Sequence, residues 1–231
     1  MASKNIAFIG GGNMARSLIG GLTSDGYPAE RIFVSEPVGE QLAALAAEFG
    51  IRAAASNQAA VEQAEAVVLA VKPQTIRPVV EQLGELVRTR KVLVISIAAG
   101  VRIADLDRWL GGNAAIVRAM PNTPALVRSG ATALYANPRV DSGQRTLAES
   151  LLRAAGLTCW LDNEAAMDAV TAISGSGPAY FFLLMEALEQ AGQQLGLPAD
   201  TARLLVLQTA FGAAKMALGS SAGPAELRRQ V

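Results

Sequence analysis

Apolar positions run unbroken in short blocks through the first part of the chain, and a stretch of helical periodicity follows each block. Ile6-Ala7-Phe8-Ile9 is the first block. Three glycines come next, and Met14, Leu18, Ile19 and Leu22 then fall on one face of a helix expected from Asn13 to about Ser24. Asp25-Gly26-Tyr27-Pro28 breaks that helix. Arg31–Ser35 predicts a second strand, and Pro37 takes the first position of a helix over Val38–Phe49 that ends at Gly50. A short strand at Ile51–Ala53 precedes a helix capped by Ser56. Ala66–Val71 and Val92–Ile97 are further apolar blocks, with a helix to about Val87 between them. Strands without alternation, separated by helices, imply a parallel sheet covered on both faces. Right-handed crossovers then give a doubly wound α/β domain of Rossmann type. Ala115–Arg118, Thr132–Ala136 and Leu157–Leu161 are β-like and extend the sheet, with Asn137-Pro138 and Gly156 as punctuation.

The pattern changes at Asn163, after which strand signals vanish. Glu164–Ile173 predicts a helix interrupted by Ser174-Gly175-Ser176-Gly177-Pro178. Pro178, with Ser176 near a capping position, starts a second helix through about Leu195, and a third runs from Ala199 to about Leu218. Tyr180–Met185 and Leu204–Leu207 have no polar side, and a helix apolar all round is buried all round. So short a segment cannot cover three such helices, so a partner subunit is the expected cover. A membrane span fails on length and on Glu186, Glu189 and Arg203. The expected division is residues 1–162 for dinucleotide binding and residues 163–231 for a helical domain.

Composition narrows the chemistry. The 231 residues are 51% hydrophobic and 17% charged, with zero formal net charge and no histidine. Zero net charge argues against an electrostatic nucleic-acid binder. Without histidine there is no His-based triad or His-ligated metal, and a lone Cys159 builds neither a metal cluster nor an internal disulfide. No metal site is expected. Between Thr158 and Trp160, Cys159 reads as a small core residue in a strand. The N-terminus lacks a signal-peptide pattern and no apolar run reaches membrane-spanning length, so a cytoplasmic protein is expected.

The first block and its glycines supply the leading candidate site. Gly10-x-Gly12-x-x-Ala15, after a strand and opening a helix, fits the dinucleotide fingerprint. Gly10 makes the turn, Gly12 admits a pyrophosphate close to the backbone, Ala15 lets helix and strand pack, and the helix N-terminus attracts the phosphates. Ligands of such sheets lie beyond the carboxyl ends of the strands. Those ends are Gly10–Met14, Ser35-Glu36-Pro37, Ala70-Val71-Lys72-Pro73 and Ile97-Ala98-Ala99-Gly100. Glu36 stands where an acidic side chain grips the ribose hydroxyls and repels a 2′-phosphate; alternatively it points outward, leaving Ser35 and backbone N–H groups to the ribose. In Arg118-Ala119-Met120-Pro121-Asn122-Thr123-Pro124 two prolines stiffen a loop, which either presents side chains or is merely rigid. Ser174–Pro178 is either a helix break or an anion seat.

Together these residues resemble the pyrroline-5-carboxylate reductases. The likeness rests on Phe8–Met14, Ala70–Pro73, Ser96–Val101, Arg118–Pro124, Ser174–Ala179 and Gly212–Met216, and it spans the chain. It implies a Rossmann domain, an all-helical dimerisation domain, and reduction of Δ1-pyrroline-5-carboxylate to L-proline with NADP or NAD as cofactor. It also implies a homodimer, often assembled into rings. By this correspondence Ile9, Gly10, Gly11, Gly12, Asn13, Met14, Ser35, Asn57, Ala70, Val71, Lys72, Pro73, Ile97, Ala98 and Ala99 touch the cofactor, and Glu36 joins them from its place in the fold. Substrate falls to Met120, Pro121, Asn122, Ser174 and Ser176. No strong general acid presents itself, so the proton comes from the Thr123 or Ser176 hydroxyl or from water. The family carries a Ser-Pro-Gly-Gly-Thr-type loop and a further helix beyond the position of Val231, so the sequence is expected to lack that part. Other dehydrogenases of similar architecture place a catalytic lysine on the long interdomain helix, and Ala165–Ala179 contains none. A non-enzymatic NAD(P) sensor would keep the glycine turn and lose the two substrate loops.

Overall fold

Alternate residues of the first strand serve two different cores, which is what a sheet covered on both faces requires. A computed structural model describes residues 4–231. The elements are β1 (Ile6–Ile9), α1 (Asn13–Ser24), β2 (Ile32–Ser35), α2 (Gly39–Phe49), β3 (Arg52–Ala53), α3 (Asn57–Glu62), β4 (Ala66–Leu69), α4 (Ile76–Arg90) and β5 (Leu93–Ser96). They continue with α5 (Ile103–Trp109), β6 (Ile116–Met120), β7 (Gly130–Ala136), α6 (Ser142–Arg153), β8 (Gly156–Trp160), α7 (Ala166–Val170), α8 (Gly177–Gln194), α9 (Ala199–Gly219) and α10 (Pro224–Arg229). Ile6 and Phe8 pack with Leu18 and Ile19 of α1, Leu45 of α2 and Leu151 of α6. Ala7 and Ile9 pack on the other side with Val61 of α3, Val80 and Leu83 of α4, and Leu106 of α5.

The eight strands form one sheet in the order β3-β2-β1-β4-β5-β6-β7-β8. The pairs from β3 to β6 are parallel, β7 runs antiparallel to β6, and β8 is parallel to β7. The doubly wound reading of the apolar blocks therefore holds, and the three later β-like segments do extend the sheet. Strand order reverses between β1 and β4, the crevice where such sheets take ligands.

Several local expectations are corrected. Pro37 lies outside α2, because a Glu36 carboxylate oxygen accepts the Val38 N–H (3.0 Å) and Val38 stays extended as the N-cap. Cys159 is exposed, since β8 is an edge strand with one poorly covered face that also presents Leu157. Ser174–Pro178 does not interrupt a helix in the expected way. From α7 the chain passes directly into a π-helical turn, Thr171–Gly175, and Ser176 keeps helical dihedrals instead of an extended capping conformation. A cause is written in the sequence: Pro178 has no N–H for the Ser174 carbonyl four residues earlier, and its ring crowds that carbonyl. The helices α5 and α6 had no sequence-level expectation.

Residues up to Ser176 form one compact unit and Gly177–Val231 another. In the second, α8 and α9 pack together closely, with Gly192 against Ala202: a Cβ added to Gly192 would lie 3.2 Å from that of Ala202. Their apolar side chains, expected to be buried, are uncovered within the chain; Phe182 is 62% and Leu205 53% exposed. Among the described residues no helix is long and apolar enough to cross a membrane.

Candidate functional site

Gly10 and Gly12 are glycines for different reasons, and the difference locates the site. Gly10 has φ +98°, and a Cβ there would lie 2.8 Å from the Ala70 carbonyl oxygen. Fold geometry alone demands it. Gly12 is in an ordinary extended conformation (φ −67°, ψ −178°), and a Cβ there would meet nothing within 4 Å. Neither backbone nor packing requires glycine at this position, so the open space serves a ligand that approaches the main chain. Gly12 is also the N-cap of α1, it gives no side-chain cap, and the first turn holds no acidic residue. The leading N–H groups of a 12-residue helix are thus left for an anion. The residues present fit a dinucleotide pyrophosphate.

The neighbouring strand ends are joined by the backbone ladder. The Gly10 N–H donates to Ser35 O (2.9 Å), the Ala70 N–H to Ile9 O (2.8 Å), and the Ile97 N–H to Leu69 O (3.2 Å). The ends of β2, β1, β4 and β5 therefore make one continuous edge. It carries Ser35 and Glu36, Gly10 to Met14, Ala70 to Pro73, and Ile97 to Ala99. Asn57 begins α3 just after β3, beside β2 on the same edge, where the Ser56 hydroxyl accepts the Ala59 N–H (3.1 Å). Met120, Pro121 and Asn122 leave β6 beside β5. Not every side chain on this edge is available. Ile9 and Ala98 are buried in the core and offer only backbone, whereas Lys72, Ala99 and Gly100 are exposed.

Glu36 turns inward. Its Oε2 accepts the Gly11 N–H (2.8 Å), and Gln41 Nε2 donates to the Gly11 carbonyl (2.6 Å), so the peptide groups on both sides of the central glycine are held. Gln41 was not legible as a site residue, since nothing marks a glutamine on an amphipathic helix.

The Met120–Pro124 stretch is held just as firmly. Thr123–Val127 forms a 3₁₀ helix. Asn122 is buried; its Oδ1 accepts the Ala131 N–H (2.8 Å), and its Nδ2 donates to the Ser174 carbonyl (3.1 Å) left free by Pro178. Gly175 lies against Met120, for a Cβ there would be 2.7 Å from Met120 Cε. The stretch from Met120 to Asn122 and the π turn are thus brought together by Asn122 and Met120. The Ser174 hydroxyl donates back to Val170 O (3.1 Å), whereas Thr123 and Ser176 are exposed.

Two families match this chain. Residues 5–100 match the family described as NADP oxidoreductase coenzyme F420-dependent, and residues 164–231 match that described as pyrroline-5-carboxylate reductase dimerisation. The pyrroline-5-carboxylate reductase of Pseudomonas aeruginosa is 54% identical over 231 residues, covering 100% of this chain and 84% of that protein. The structure of a pyrroline-5-carboxylate reductase from Coxiella burnetii superposes with a TM-score of 0.94 at 47% identity, covering 98% of this chain and 84% of that one. The Plasmodium falciparum pyrroline carboxylate reductase, solved with NADP bound, has a TM-score of 0.89 at 29% identity and covers 100% of this chain and 85% of that one.

Proposed function

The chain belongs to the pyrroline-5-carboxylate reductase family, and we propose that the carboxyl edge of its sheet is where that family's reaction takes place. The chain is an NAD(P)H-dependent oxidoreductase that reduces Δ1-pyrroline-5-carboxylate to L-proline, the last step of proline biosynthesis. Its helical segment belongs to a dimerisation family, and the protein is a homo-oligomer.

NAD(P)H supplies a hydride from nicotinamide C4 to the imine carbon, and a proton goes to the ring nitrogen. The chain's residues have to bind, align and exclude water. Gly10 to Met14 hold the pyrophosphate, Ser35, Glu36 and Asn57 the adenosine side, and Ala70 to Pro73 with Ile97 to Ala99 the nicotinamide side. Met120 and Pro121 border the substrate, with Ser174 and Ser176 on the π-helical side; Asn122 keeps the two together. Thr123 Oγ1 and Ser176 Oγ are the hydroxyls assigned to proton delivery, directly or through water. The observation that carries this reading is the neighbourhood of β5 and β6, which sets the nicotinamide residues beside the Met120–Asn122 stretch.

Residues 1–162 are assigned to dinucleotide binding and 163–231 to dimerisation and substrate. The homodimer is the working unit, with a ring of dimers as its higher assembly. Uncovered apolar side chains on both α8 and α9 support more than one buried contact. The protein is read as a small-molecule enzyme of the cytoplasm without nucleic-acid or membrane partners; zero net charge supports the first absence, and the lack of a membrane-length apolar helix among the described residues supports the second. The test is a proline-forming assay with NADH and NADPH in parallel. Proline formed with either cofactor supports the reading, and none with both overturns it.

A further inference from the structure

Glu164 lies between β8 and α7, and one of its carboxylate oxygens has two donors. Oε1 accepts the Ile103 N–H at 2.8 Å and Arg118 Nη1 at 2.9 Å. The Arg118 side chain is 6% exposed and that of Glu164 23%. Ile103 is the first residue of α5, and its N-cap, Arg102, gives no side-chain bond, so Glu164 supplies from a distance the acceptor that this helix start lacks. Arg118 sits within β6, opposite Ser96 of β5 and Tyr135 of β7.

The two donors flank the reacting centre. Ile103 closes the loop that leaves β5 through Ile97, Ala98 and Ala99 on the nicotinamide side. Arg118 lies on the strand that runs into Met120, Pro121 and Asn122 on the substrate side. The helical run that starts beside Glu164 includes Ser174, where Asn122 donates to the carbonyl (3.1 Å). Beyond the β5–β6 ladder, the stretch that follows each strand is therefore linked to the other through one oxygen atom.

We propose that Glu164 is a positioning residue for the reduction. It sets the separation of the nicotinamide loop from the substrate loop without touching either reactant. The proposal rests on the assignment of proline-forming reduction to this edge. What matters is an acceptor at Oε1, so a neutral amide oxygen in the same place does the same work. The pair borders a small cavity, about 160 Å³ and lined also by Arg102, Ala165 and Asp168, and both bonds to Glu164 fall on Oε1, so among the described residues an amide nitrogen in place of Oε2 displaces no donor.

Ile103 offers a test that leaves the ion pair intact. Proline is tolerated at the first position of a helix, so Ile103→Pro removes the N–H bonded to Glu164 and keeps α5. Ile103→Ala keeps that N–H and controls for lost side-chain packing. Both Ile103 variants of the 231-residue chain, together with Glu164→Ala and Glu164→Gln, are measured for kcat and KM with pyrroline-5-carboxylate, for NADH affinity and for Tm. Misplacement of reacting groups should lower kcat on the order of 10–100-fold in Ile103→Pro and Glu164→Ala. NADH affinity should hold in both, and Ile103→Ala and Glu164→Gln should stay near wild type in kcat. Equal kcat for the proline and alanine variants at Ile103 overturns the proposal, and so does a glutamine variant as impaired as the alanine one. Should Glu164→Ala fail to fold because it strands Arg118 in the interior, the Ile103 pair decides. A wild-type chain that forms no proline overturns the functional reading together with this proposal, whereas wild-type turnover with no Ile103 difference overturns this proposal alone.

Discussion

The Gly11 N–H donates to Glu36 Oε2 at 2.8 Å, so the carboxylate at the end of β2 faces the glycine turn and not solvent. That choice was open in the sequence, and it bears on cofactor preference. In the proposed placement of the cofactor, a carboxylate held there faces the ribose, where it would suit the hydroxyls and repel a 2′-phosphate. Glu36→Ser should raise kcat/KM for NADPH relative to NADH by on the order of 1 kcal/mol, a screened single-charge effect. Steady-state kinetics with both cofactors checks this, and an unchanged ratio would remove Glu36 from the selectivity argument.

Gly12→Val should abolish NAD(P)H binding in a protein that still folds. A Cβ at this position meets nothing within 4 Å outside its own turn, so the branched side chain intrudes mainly on the space proposed for the pyrophosphate. Gly10→Ala should behave in the opposite way, losing about 1–3 kcal/mol of stability through its positive φ and the Ala70 carbonyl. Circular dichroism melts and quenching of protein fluorescence by NADH separate the two effects. Normal NADH affinity in Gly12→Val would count against the fingerprint.

Asn122→Ala should lower Tm and weaken the substrate loop together. It leaves the Ala131 N–H and the Ser174 carbonyl without their partner, each at a cost of about 1–3 kcal/mol when buried. In a chain of 231 residues each kcal/mol corresponds to roughly 2–4 °C. KM for pyrroline-5-carboxylate should rise while NADH affinity holds. A variant with wild-type Tm would show that water replaces both bonds.

Phe182→Asp or Leu205→Asp should destroy the homo-oligomer. Both side chains are more than half exposed within the chain, so a lone subunit would tolerate a charge there. Buried against another copy, an unpaired carboxylate is costly. The expected product aggregates, because neighbouring apolar residues lose their cover. Sedimentation analysis that finds an intact oligomer would refute the interface.

The sheet and its working edge were legible because buried parallel strands leave a composition signal. Ile6–Ile9, Ala66–Leu69 and Leu93–Ser96 are apolar without alternation, and each ends in small or turn residues. The helices α5 and α6 left a weaker one: each buries few residues and carries charges over the rest. Cys159 misled because an edge strand covered on one side looks in sequence like a core strand. The partners of Glu36 and Glu164 were hidden for another reason. Gly11 and Ile103 engage them through backbone N–H groups, which every residue but proline possesses and which therefore leave no mark in a sequence.

The contiguity of β2, β1, β4 and β5 along the working edge also acts as a ruler. Adjacent strands stand about 4.8 Å apart, so three spacings place the end of β2, proposed for the ribose, and the end of β5, proposed for the hydride, roughly 14 Å apart. Backbone hydrogen bonds set that interval and no side chain does. Substitutions can retune what is gripped at either end, yet the reach between adenosine and nicotinamide stays constant as long as the sheet exists. One spacing further on, past the end of β6, the ruler stops, and there the Asn122 side chain takes over the positioning.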